Sequence, residues 1–130
     1  PVEIVLDGEP YPSVEHAFQA AKTHDPEERR EIRANPSPVT AKYMGKRVAL
    51  RPDWDNYRFT IMETLVRQKF TRSAELRAKL LATADAELIE GNTWRDTNWG
   101  AVWNEDKARW VGKNFLGQIL MKIREELKEQ

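Results

Sequence analysis

Tyr11-Pro12-Ser13-Val14-Glu15-His16-Ala17-Phe18-Gln19-Ala20-Ala21-Lys22 is the stretch from which the fold can be read. Ser13 is a residue type that caps helices, and Val14, Ala17, Phe18 and Ala21 then follow at i, i+3, i+4 and i+7, one apolar face of a helix. Glu15, Gln19 and Lys22 form a polar stripe along the border of that face. Glu15 and Lys22 are about 10 Å apart along the axis at 1.5 Å per residue, too far for a direct ion pair unless both reach toward a common point. A bound ligand is one such point. A solvated helix edge is the ordinary alternative, since the macrodipole favours Glu in the first turn and Lys in the last.

Working outward, Val2, Ile4 and Leu6 alternate with Glu3 and Val5 before Asp7-Gly8, so a strand runs into a hairpin turn ahead of this helix. On the other side, Asp25-Pro26 starts a charged helix that Asn35-Pro36 stops, and Ser37-Pro38 starts another that Gly45 ends. After Pro52-Asp53, the residues Trp54, Tyr57, Ile61, Leu65 and Val66 share the face of a long central helix. Ser73 caps a helix with Leu76, Leu80 and Leu81 inward. Leu88-Ile89-Glu90 reads as a short strand, and residues 91–110 read as a loop with four tryptophans. From Asn114 a last helix buries Leu116, Ile119, Leu120, Ile123 and Leu127. The expected class is α+β, a mostly helical single domain with a small β-sheet.

A chain of 130 residues can bury one core but hardly two. It has no cysteine, which excludes disulfides and thiolate catalysis and accords with a reducing compartment. His16 and His24 are the only imidazoles and their spacing matches no zinc motif, so neither a metal nor any other cofactor is expected. Having no partner in a nucleophile motif, both read as surface or hydrogen-bonded histidines. Lys and Arg total 21, as do Asp and Glu, so strong non-specific binding of nucleic acid is not expected and any anion must be held locally. No apolar run approaches the length of a membrane span and no secretory signal opens the chain, which points to a cytoplasmic protein.

Three further features could carry chemistry. Trp94, Asp96, Trp99 and Trp103 lie in irregular sequence, where the rings either plug a core or stack on a flat ligand such as a nucleobase. Gly100 lets backbone approach a ligand closely, or simply makes a turn. In Gly112-Lys113-Asn114-Phe115-Leu116-Gly117 the helix start can hold a phosphate or ribose oxygen, or Asn114 caps and Gly117 permits close packing. Lys42, Lys46, Arg47 and Arg51 form a basic cluster that is either solvated surface or charge for a pyrophosphate. Neither a Rossmann fingerprint nor a P-loop is present.

In order and spacing these pieces resemble the NADAR family, also called YbiA-like. The stretch from Tyr11 to Lys22 is similar to its opening motif, and Trp54, Arg58 and Met62 to its Trp-x3-Arg-x3-Met helix. Lys69-Phe70, Leu80-Leu81-Ala82-Thr83, Leu88-Ile89-Glu90, the Asp96-x-x-Trp99-Gly100 run and Gly112-x-Asn114-x-Leu116-Gly117-x-x-Leu120-Met121-x-x-Arg124 continue the match over nearly the whole chain. Two departures stand out. Residues 1–130 would form one such domain that begins after a short aromatic segment family members carry ahead of the first strand. Thr23-His24-Asp25 also differs from the residues common there.

The resemblance implies an N-glycosidase that hydrolyses the ribose C1′–N bond of a nucleotide-like substrate. The substrate would be ADP-ribosylated guanine, free or carried by nucleic acid, or a ribosylamino-pyrimidine intermediate of riboflavin synthesis. It makes Glu15 and Lys22 the catalytic pair with Asp96 as a further carboxylate. Gln19, Trp54, Arg58, Glu90, Trp99, Gly100, Asn114 and Gly117 become substrate contacts, with Trp54 and Trp99 as stacking walls. A carboxylate would stabilise the positive charge that develops on ribose, and a desolvated lysine would have a lowered pKa suited to attack on C1′. The alternative is a module that binds ADP-ribose or a similar nucleotide without turnover.

Overall fold

The computed structural model describes residues 2–130, which fold as an α+β protein that is mostly helical. Two compact units are formed, one reaching to Ala74 and one from Glu75 to Gln130.

In the first unit, strands β1 (Ile4–Leu6) and β2 (Glu9–Tyr11) pair antiparallel, with Ile4 opposite Tyr11 and Leu6 opposite Glu9. Asp7 and Gly8 both have positive φ, 49° and 82°, the conformation that a two-residue turn between right-twisted strands requires. Ile4, Leu6 and Tyr11 are buried. Val5 presents its backbone to the open edge, where the Gln68 side chain meets it. Gln68 Nε2 donates to Val5 O (2.7 Å) and Val5 N donates to Gln68 Oε1 (2.9 Å), so one amide closes the edge as a neighbouring strand would.

Helix α1 (Val14–Ala21) is the hub of this unit, packed against the hairpin and against α2 (Pro26–Ala34), α3 (Pro38–Gly45) and α4 (Trp54–Arg72). Such company explains why the run from His16 to Ala21 is buried on every face. Ser13, in extended conformation, accepts from His16 N and caps the helix. The His16 ring lies between Ser13 Oγ and Asn35 O, 2.7 Å from each. Asn35 O can only accept, so Nε2 carries a proton and donates to it, while Nδ1 shares a hydrogen bond with the Ser13 hydroxyl. His16 is thereby a buried, hydrogen-bonded histidine. Thr23 ties the end of α1 to α2 by donating to Glu28 Oε1 (2.8 Å). Helices α2 and α3 begin as the Asp25-Pro26 and Ser37-Pro38 pairs dictate, with Asp25 and Ser37 accepting from backbone N–H groups of the first turn. Trp54, Ile61, Met62, Leu65 and Val66 are buried along α4.

The second unit contains most of α5 (Ala74–Ala82), the hairpin β3 (Val102–Asn104) with β4 (Arg109–Val111), and α6 (Phe115–Lys128). The sequence reading needs two corrections here. Leu88-Ile89-Glu90 is not a strand; a single bridge joins Gly91 to Ala101. Asn114 is the reason, because its side-chain amide takes the backbone groups a strand partner would use: Glu90 N donates to Oδ1 (2.8 Å) and Nδ2 donates to Leu88 O (2.8 Å). Residues 91–110, expected to be loop throughout, contain β3 and the start of β4. Its turn carries Ala108 at φ 48°, a conformation that Gly or Asn would have announced in sequence. Arg124 is buried on α6 and donates from Nη1 to Thr83 Oγ1 and to Ala86 O, 2.8 Å each.

Candidate functional site

The polar stripe of α1 survives folding as a cluster within the first unit. Gln19 is buried and donates from Nε2 to Glu15 Oε1 (3.0 Å), which pins the carboxylate one turn back along the helix. Lys22 is half-buried just past the helix end, its Nζ 6.0 Å from the centroid of the Trp54 ring. Burial lowers the Lys22 pKa below the ordinary lysine value. The Glu15 carboxylate opposes this, and the charges of Lys42 and Lys46 on either side of the end of α3 reinforce it. Phe18 sits on the same helix with its ring 5.1 Å from Trp54.

Trp54 itself is 7% exposed and also meets Tyr57 edge-on at 6.3 Å. Arg58, one turn further along α4, lies over the Phe59 ring at 4.6 Å, and its buried Nε has no hydrogen-bond partner. Gly45 went unnoticed in sequence except as a helix stop. It is buried against Gln19, and a methyl group placed on it would run into that side chain.

In the second unit, Glu90, Asp96, Trp99, Gly100, Asn114 and Gly117 belong to one backbone knot. Asp96 Oδ1 accepts from Asn98 N and Trp99 N, 3.0 Å each, and so shapes the turn that presents Trp99. Asn92 braces that turn, accepting from Asp96 N (2.9 Å) and donating to Asp96 O (2.8 Å). Trp99 is half-buried, edge-on to Phe115 at 6.4 Å. Gly100 is needed because Glu90 O and Asn92 Nδ2 crowd the space where a Cβ would stand. Gly117 is needed because the Asn114 amide and Leu88 O fill the corresponding space on α6. Asn114 occupies the N-cap position at φ 53° without a side-chain cap bond, its amide being directed to Leu88 and Glu90 instead. The Glu90 side chain is exposed.

Trp103 and Trp110 face each other across β3 and β4 at 5.5 Å and remain 43% and 44% exposed, whereas Trp94 is 68% exposed. A hollow of about 440 Å³ lined by Tyr11, His24, Arg29, Arg30 and Arg33 also carries Asp7, Glu9 and Glu27. Each of its three arginines is paired with one of those carboxylates, so it offers no concentrated positive charge. Among the described residues no group of three His, Asp or Glu side chains could hold a metal ion, and no helix is long and apolar enough to cross a membrane.

An α+β protein, mostly helical and with a Glu/Lys pair set on a buried hub helix, is the class that these observations define. Comparison with known proteins narrows it: residues 1–128 match the NADAR domain, and the chain belongs to the NADAR family. It is 44% identical over 126 residues to N-glycosidase YbiA of Escherichia coli (strain K12), covering 95% of this chain and 75% of that protein. The NMR structure of the E. coli protein YbiA superposes with a TM-score of 0.82 at 42% identity, covering 98% of this chain and 74% of the other. A riboflavin biosynthesis protein of Vibrio vulnificus is 35% identical over 131 residues, 99% of this chain but 34% of that one. Such relatedness supports hydrolase activity of the glycosidase kind in general.

Proposed function

We propose that this protein hydrolyses the C1′–N bond between ribose and a base in a nucleotide-like substrate. The observation that carries the reading is the Glu15 and Lys22 pair: an amine whose charge is disfavoured by burial stands near a carboxylate held in place by Gln19. In the mechanism this pair supports, the neutral Lys22 amine forms a bond to C1′ while the electron pair of the C1′–N bond leaves with the base, which takes up a proton. Opening of the ribose ring converts the adduct to a protonated imine. Water adds to C1′, the amine departs, and the net change is one water consumed and one base released. Glu15 stabilises the positive charge that develops at C1′ as the bond breaks.

Trp99 and Asp96 are carried by family resemblance as contacts of the base or sugar, Trp99 by stacking. Gln19, Trp54, Arg58, Glu90, Gly100, Asn114 and Gly117 are carried as further substrate contacts by family resemblance alone. For Asn114, Gly100 and Gly117 the backbone packing already accounts for the residue type. ADP-ribosylated guanine and a ribosylamino-pyrimidine phosphate are the two substrate classes proposed, the second encouraged by the relative named for riboflavin biosynthesis. Incubation with each and chromatography of the products tests the reading. Release of free base from one of them, abolished by Glu15→Ala, supports it. Saturable binding of either compound with no release over many hours would instead establish a nucleotide-binding module.

A further inference from the structure

We infer that Gly45 is a positioning residue for the Glu15 carboxylate, acting through Gln19; the inference rests on the proposed role of Glu15. Gly45 is the last residue of α3 and is buried where that helix packs on α1. Its backbone is not in the left-handed region, so glycine is not required there for conformation. Space is the requirement. A Cβ at position 45 would overlap Gln19 Oε1 and would stand 2.8 Å from Gln19 Cδ and 3.1 Å from Gln19 Cβ. Turning the terminal amide over relieves none of this, because Cδ and Cβ stay where they are. Gln19 would have to change rotamer, and its Nε2 would then leave Glu15 Oε1, now 3.0 Å away. Gln19 Oε1, buried and without a hydrogen-bond partner, shows how closely the side chain is confined. A buried unsatisfied oxygen is costly, and its persistence accords with an amide oriented for its other end. The amide orientation is also the one that suits an ionised Glu15, since Nε2 donates and a carboxylate only accepts.

The test is a double-mutant cycle on Gly45→Ala and Gln19→Ala, read in kinetics and by NMR of the Gln19 side-chain amide. Losing a hydrogen bond to a charged group should lower kcat roughly ten- to a hundredfold with KM within about twofold. The two losses should not multiply, because Gly45→Ala acts only by moving Gln19 and has nothing to move once Gln19 is alanine. The wild-type Gln19 amide resonances should shift both in Gly45→Ala and in Glu15→Ala. If Gly45→Ala alone is too unstable to purify, its recovery by adding Gln19→Ala supports the same clash. Losses that multiply in the double variant, or Gln19 resonances in Gly45→Ala that match wild type, overturn the inference. The amide signal needs no substrate. A wild-type protein that releases no base would therefore remove the proposed function while leaving the Gly45, Gln19 and Glu15 geometry open to the same measurement.

Discussion

Lys22 is the proposed nucleophile, and a role as nucleophile and a role as a mere cation predict different outcomes. An electrostatic role in holding a phosphate tolerates arginine, whereas an imine requires a primary amine. Lys22→Arg is therefore expected to lose nearly all base release, and borohydride added during turnover should leave a reduced sugar adduct on the peptide containing Lys22, seen by mass spectrometry. An active arginine variant without a wild-type adduct would leave Glu15 or Asp96 directing water as the better mechanism. The lowered pKa also carries a stability signature. Between the folded value and the ordinary lysine value the unfolded chain holds more protons than the folded one, so this group makes stability rise with pH across that window. Lys22→Met should accordingly be more stable than wild type near neutrality, with the gap narrowing as pH approaches about 10. Tyr11, whose hydroxyl is pushed up by burial, titrates alike in both proteins and cancels. A gap independent of pH, measured by denaturant melts, would contradict the desolvated amine.

At the scale of elements, the tryptophans divide by what surrounds them. Trp54 starts α4 inside the first unit, between Phe18 and Tyr57, and its truncation to alanine should cost about 3–5 kcal/mol of stability as a buried aromatic does. Trp99 stands half-buried at the turn that Asp96 shapes, so Trp99→Ala should cost less in stability and weaken substrate binding by about 1–3 kcal/mol. Paired melts and binding titrations decide this, and a Trp99→Ala variant with full affinity would remove Trp99 from the site. Sequence could not separate the two rings, because a helical period reports which residues turn inward but not whether the buried ring also meets a ligand. The helices were legible for the opposite reason. Their caps, Ser13, Asp25 and Ser37, act on backbone within three residues, and the structure shows each accepting the bonds its spacing predicts. The β3–β4 hairpin was not legible, since its strands are three residues long and its turn uses Ala108 at positive φ. The false strand at Leu88-Ile89-Glu90 arose because a side chain, Asn114, serves as its partner, and no periodicity marks that. The Glu15/Lys22 stripe was visible along the helix, but Gly45 reaches it only through α3 packing on α1 and was invisible to spacing.

Across the whole molecule the decisive quantity is charge: 21 basic residues balance 21 acidic ones. Several of the basic groups are paired, Arg29 with Asp7, Arg33 with Glu9, Arg51 with Asp53 and Lys128 with Asp85, and we propose that the protein does not grip a long polyanion. Lys42 and Lys46 are different, because their charge is felt at Lys22 and they flank the end of α3 beside the proposed reacting centre. Such an arrangement suits one phosphate or a pyrophosphate rather than a nucleic-acid backbone. Counterion release turns this into a number: each phosphate neutralised on a single strand contributes a slope of about −0.7 to log affinity against log salt. With at most two phosphates engaged, log kcat/KM for the modified base within a single strand should fall with log salt at a slope no steeper than about −1.5. Lys42→Ala with Lys46→Ala should flatten that slope and raise KM while leaving the fold unchanged, both positions being exposed. A slope of −4 or steeper on a strand substrate, retained in the double variant, would mean that a basic track elsewhere on the protein grips the backbone, and the small-ligand reading of its charge would be wrong.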